Sequence, residues 1–225
     1  MSSSITEINK DTFWMLIDRA KEHSGGPSEW LMEQLVSMGP EQAKKFDTIA
    51  HAYMDAAYQY GLWTAASVME RYGCSDDGFI DFRAWLVGQG KDVYMAALKD
   101  PDSLVNVPSY QNSLFDSLPY MGDYAYEDLT GRDAFQDFDP AAYHATAEEI
   151  KKDIVYGDGI GYPYTWNETA AYLPKLCAKY LTTEELVLRI SQCDDTWNIT
   201  SPDIQKARAT NRKSKKIKRN RGNER

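Results

Sequence analysis

Between Gly73 and Gly90 the chain sets three carboxylates (Asp76, Asp77, Asp81), one guanidinium (Arg83) and the rings of Phe79, Phe82 and Trp85 within ten residues. Paired carboxylates can share a proton or hold a divalent cation. Asp81 follows Asp77 by four residues, so a helix would put both on one side. Three carboxylates without the spacing of a calcium loop are a thin ligand set, and neither a metal nor another cofactor is expected. No nucleophile or partner base stands nearby, which leaves acid–base chemistry without a second group. Recognition is the remaining chemistry. Ser75, Asp76 or Asp77 can cap a helix, while a carboxylate left over, with Asp81, Arg83, Trp85 and the upstream Trp63, holds a protein or small ligand. The expected geometry is a shared cleft in which Asp77 and Arg83 reach solvent beside Trp85 or Trp63. The bland alternative is a capped helix whose apolar stripe is Phe79, Phe82 and Leu86, with Asp81 and Arg83 off the stripe. A hydrolase-like or metal-assisted enzyme using Asp76, Asp77 and Arg83 is the catalytic alternative.

The rest of the chain offers less. His23, His51 and His144 are isolated, and Cys74, Cys177 and Cys193 form no Cys-x-x-Cys pair. An odd, scattered set argues against a disulfide framework and for a reducing compartment. Acidic neighbours disfavour a thiolate at Cys74. The glycines at 157, 159 and 161 lack the preceding strand and following lysine of a phosphate loop. Asp116, Tyr120, Asp123, Tyr124, Tyr126, Glu127 and Asp128 make an acidic, tyrosine-rich stretch that can line a pocket or meet a basic partner.

Charge is polarised along the chain. The net charge of −9 combines an acidic body, with 15 basic against 33 acidic residues up to Gln205, and a tail from Lys206 with ten basic residues and one acidic. In that tail Lys213, Lys215, Lys216, Lys218, Arg219 and Arg221 are candidates for weak, non-specific nucleic-acid contact through phosphates. It has no aromatic residue for base stacking. It can equally fold onto the acidic body, and a partner of basic character suits that body better than a bare phosphate.

The elements that must position these groups are helices. Phe13, Trp14, Ile17 and Ala20 recur at helical spacing behind a capping Asn9. The pattern resumes over 28–37, and Gly39-Pro40 stops one helix and opens another running to about Tyr60. Further helices are expected over 62–72, behind Ser75 to Gly88, and over 91–99, 140–155, 168–180 and 183–192, the last capped by Thr182 or Thr183. The stretch 103–140 reads as irregular, with short turns and one small helix near 110–117, and 156–166 as an aromatic loop. No strand alternation stands out. The 225 residues can bury a sizeable core without staples. The reading is all-α: a multi-helix domain over 1–200 with a long irregular Tyr/Asp-rich segment, then a disordered basic tail over 201–225. No apolar run spans a membrane and no signal segment precedes the first helix, so the cytoplasm is expected.

Three stretches together resemble a known family. They are Phe13-Trp14-Met15-Leu16-Ile17, Leu62-Trp63-Thr64-Ala65-Ala66, and Ser75 to Leu86 followed by Gln89-Gly90 and Pro101-Asp102-Ser103-Leu104. The pattern is similar to the bacterial domain family of unknown function 4240, over roughly residues 9–130, with 131–200 as a helical extension. The resemblance implies a bacterial source and a domain boundary; it transfers no catalytic residue. The function expected is a binding or adaptor role through the Ser75–Trp85 region.

Overall fold

Asn9 opens the first helix. Its side chain accepts from the Asp11 and Thr12 amides while Thr12 Oγ1 accepts from the Asn9 amide, a reciprocal cap. The computed structural model describes residues 5–70, 73–107, 115–162 and 165–191. Across these it holds eleven α-helices and no strand. They are α1 (Lys10–Glu22), α2 (Pro27–Met38), α3 (Pro40–Ala56), α4 (Tyr60–Met69), α5 (Asp76–Gly88), α6 (Lys91–Lys99), α7 (Met121–Thr130), α8 (Pro140–Lys151), α9 (Trp166–Tyr172), α10 (Pro174–Tyr180) and α11 (Thr183–Ser191). Short 3₁₀ turns lie at Pro101–Asn106, Leu118–Tyr120 and Ala134–Asp137.

The aromatic spacing read from α1 and α3 builds the centre of the core. Phe13 and Trp14 pack against Phe46 and Tyr53 of α3 and Tyr94 of α6, with ring centroids 4.6 to 5.5 Å apart. The Tyr94 hydroxyl donates to the Tyr53 carbonyl at 2.6 Å, which satisfies the one polar atom that burial would otherwise strand. The buried apolar residues form one connected cluster from Ile8 to Leu181. The C-terminal helices therefore share the core of the N-terminal ones.

Asp102 fastens that union. The residue is buried, and its carboxylate accepts from the Leu176 amide at 2.8 Å and the Lys175 amide at 3.1 Å. It thus caps α10 from a distant part of the chain, where α10 has no cap of its own. Lys179 returns the contact by donating to the carbonyls of Val105 and Val107.

Two expectations need correction. The stretch 103–140 is not mainly irregular, because besides the short turns expected there it holds α7; the small helix near 110–117 falls largely outside the described residues. Tyrosine, aspartate and glycine are poor helix formers, but Gly122 lets α7 press directly on α3. A Cβ there would sit 2.6 Å from the Asp47 amide nitrogen and 2.8 Å from the Ala43 carbonyl. Tertiary packing overrides propensity. The helix expected to run to Tyr60 ends at Ala56, and α4 starts at Tyr60 with Gly61 inside its first turn. Cys193 and the basic tail lie outside the described residues.

Candidate functional site

The glycine-framed motif folds as the sequence suggests at its start. Gly73 takes φ +97° and Gly90 φ +91°, backbone regions that favour glycine. Ser75 caps α5 by accepting from the Gly78 amide at 3.0 Å, and Asp76 and Asp77 occupy the positive end of the helix. Asp76, Asp77 and Asp81 are exposed.

Beyond Asp81 the expectation fails. From Phe82 to Gly88 every residue of α5 is buried, because the helix passes through the protein rather than along its surface. Arg83 is 7% exposed and Trp85 is fully buried. The shared cleft is therefore not formed: Asp77 is exposed while Arg83 is buried and engaged with other groups. Trp63 is half-buried, stacked on Phe79 at 4.8 Å, with its indole N–H donating to the Cys74 carbonyl at 2.9 Å. Cys74 itself is buried, and burial first, then Glu70, push its thiol well above the ordinary range.

Arg83 instead joins three elements. Its Nη1 donates to the Met54 carbonyl at 2.9 Å, one of the orphan acceptors at the end of α3. Its Nε donates to the Phe79 carbonyl at 3.3 Å, and the guanidinium lies over the rings of Tyr58 (5.0 Å) and Phe79 (5.3 Å). The same Nη1 stands 3.5 Å from Asp55 Oδ1. Asp55 in turn accepts from the Tyr143 hydroxyl of α8, and burial, then this bond, push the Tyr143 phenol well above its usual range. The chain Arg83–Asp55–Tyr143 ties the motif helix to a groove on the far side of α3.

That groove encloses about 400 Å³ between α3, the start of α7, the turn at 133–138 and the start of α8. Five carboxylates line it: Asp47 and Asp55 of α3, Asp123 of α7, Asp133 before the turn and Asp139 before α8. Lys44 and His51 are the cations, and Phe135, Phe138 and Tyr143 are the rings. Each aspartate outside α3 also fixes local structure. Asp123 accepts from the Ala134 amide (2.8 Å), Asp133 from the Phe135 amide (2.6 Å), and Asp139 from the amides of Ala141 and Ala142 (2.9 and 3.1 Å). The turn is pinned at both ends, and what it presents is Phe135, 81% exposed, with the half-exposed Phe138 ring 6.3 Å away and Tyr143 5.6 Å beyond that. His51 Nδ1 lies 3.2 Å from Asp47 Oδ1 and 3.1 Å from the Asp47 carbonyl. The Asp47 side chain raises its pKa to about 9 against the opposing effect of burial, so the ring is charged at neutral pH.

Carboxylates around exposed aromatic faces make a surface for organic cations, because the ring face attracts positive charge that the carboxylates neutralise. A second cavity of about 530 Å³ adjoins it, floored by Ile8, Ile49, Ala142, Ala145 and Ile150 and sharing Lys44, Thr48 and Asp139. Its other lysines are paired, Lys10 with Asp153 and Lys45 with Glu7 and Glu41. Among the described residues no group of three or more His, Cys, Asp or Glu side chains is placed to hold a metal ion. Nor is any helix long and apolar enough to cross a membrane.

Of the groove, the sequence pointed only to Asp123, within the acidic tyrosine-rich stretch. The signal for the rest was present in Asp133-Ala134-Phe135-Gln136-Asp137-Phe138-Asp139, two phenylalanines among three aspartates with neither helical nor strand spacing. Adjoining rings, here the exposed Phe135 and Phe138 with Tyr143 beside them, make the kind of contiguous apolar patch that marks an interaction site. No curated protein and no solved structure matches the chain. The model of one family, described as a protein of unknown function (DUF4240), matches residues 8–128, and the chain belongs to that family.

Proposed function

We propose that this protein is a binding module that holds a basic partner in the groove between α3, the 133–138 turn and α8. One observation carries the reading: five carboxylates line the groove that also holds the outward-turned rings of Phe135 and Phe138. The site recognises lysine and arginine side chains, whose charge meets the carboxylates while their stems lie on the rings. The Ser75–Trp85 motif serves it indirectly, as Arg83 holds Asp55 from behind.

A labelled Lys/Arg peptide, titrated at about 0.15 M salt to suppress long-range attraction, tests this. Phe135→Ala changes no charge and is expected to weaken binding about fivefold. Asp133→Asn keeps the capping acceptor, removes one charge, and is expected to weaken it further. If the triple variant Asp76→Asn, Asp77→Asn, Asp81→Asn abolishes binding while Phe135→Ala leaves it unchanged, the acidic start of α5 is the site and the groove is not.

A further inference from the structure

We infer that the groove is occupied in cis by the chain's own basic tail, so that an external basic partner binds by displacing it; this rests on the reading of the groove given above. Charge complementarity is the first argument. The tail from Lys206 carries ten basic residues against one acidic, the rest of the chain 33 acidic against 15 basic. The groove gathers five of those carboxylates against Lys44 and the protonated His51.

Pattern is the second argument. The groove sets two phenyl rings between Asp133 and Asp139. The tail has one large apolar residue, Ile217, set between Lys216 and Lys218. An aliphatic side chain with a cation on each side matches rings with a carboxylate on each side. Since the tail has no aromatic residue, the exposed rings of the groove meet aliphatic stems and cations rather than other rings.

Reach is the third. Fourteen residues separate Ser191 from Lys206, and they extend to roughly 46 Å. A folded body of this size has a radius of gyration of about 16 Å, hence a half-circumference of roughly 65 Å; Ile217 stands 26 residues after Ser191, a span of up to roughly 85 Å, so the Lys216–Lys218 segment can reach the groove around the body. Tethering supplies an effective concentration of ~1 mM. A tail that binds in trans with a Kd of about 0.1 mM would then occupy the groove about ten times in eleven.

The test uses the full-length chain and a full-length variant with the tail neutralised (Lys213→Gln, Lys215→Gln, Lys216→Gln, Lys218→Gln, Arg219→Gln, Arg221→Gln). The labelled Lys/Arg peptide is expected to bind the neutralised variant about tenfold more tightly than the native chain. A synthetic peptide of residues 206–225 is expected to bind the neutralised variant in trans, more weakly when the protein carries Phe135→Ala or the peptide Ile217→Ala. Equal affinities of native and neutralised chains would overturn cis occupancy while leaving the groove reading in place. Absence of peptide binding to either chain would remove both. If the native chain binds a DNA oligonucleotide through the tail, unaffected by Phe135→Ala, and the two chains bind the Lys/Arg peptide equally, the tail serves phosphates and the inference falls.

Discussion

Replacing Arg83 by methionine tests whether the motif helix supports the groove. The substitution keeps the stem and removes the guanidinium. The Met54 carbonyl, capped at 2.9 Å, loses its donor in a buried setting; an orphaned acceptor costs about 1–3 kcal/mol. The faces of Tyr58 and Phe79, 5.0 and 5.3 Å from the guanidinium, lose a desolvated cation worth about 1–2 kcal/mol. The Asp55 ion pair contributes little to stability because Asp55 is exposed. Relief of burying a charge offsets part of the loss. The expected net destabilisation is about 3 kcal/mol, which for a chain of this size lowers Tm by about 6–12 °C. Thermal unfolding followed by circular dichroism measures it. Arg83→Lys keeps charge but not the planar fork, and is expected to recover less than half of the loss. Because Asp55 is left without its support, peptide affinity of the folded variant should also fall. A Tm for Arg83→Met close to that of the parent would refute the assignment of Arg83 as a buried joint between α3 and α5.

Gly122→Ala inserts the best helix former into α7, yet is expected to destabilise by about 1–2 kcal/mol because its Cβ meets the α3 backbone; a urea midpoint above that of the parent would refute this. Asp102→Ala strands the amides of Lys175 and Leu176 and is expected to cost about 2 kcal/mol, with Asp102→Asn recovering part; equal losses for the two variants would show that side-chain volume, not capping, matters. For His51 the folded pKa of about 9 lies above the ordinary 6.5, so its contribution is fully present below pH 6.5 and is lost as pH rises through 9. The ring is half exposed, which limits the effect to about 1 kcal/mol. An NMR titration of the imidazole should show a midpoint well above 6.5 that returns towards it in Asp47→Asn.

The helices of the first hundred residues were legible because their apolar spacing and their breaks agree. Asn9, Pro40 and Ser75 start helices where their side chains or ring suit a start. α7 was not legible, since its glycine reports a close approach to another helix that only the assembled fold reveals. Arg83 was misplaced for a related reason. A charged residue off the apolar stripe reads as exposed, but α5 is enclosed all round, and the charge is accommodated by acceptors on α3 that lie far away in sequence. Asp102 belongs with it: its partners stand more than seventy residues on. Chemistry within one element could be read, and chemistry between elements could not.

The family stretch ends at residue 128, and that boundary runs through the groove. Asp47, His51, Asp55 and Asp123 lie inside it, whereas the 133–138 turn, Asp139 and Tyr143 lie outside. The back wall thus lies within the stretch that the family model matches and the rim in the stretch that follows it, with Tyr143 and Asp55 as the seam between them. In a relative whose likeness stops where the family model stops, the same wall can carry a different rim. The rim from Asp133 to Tyr143 contributes Ala134 to the buried set but no residue to the connected core cluster except through the flank of Tyr143, so the rim can vary while the core stays as it is.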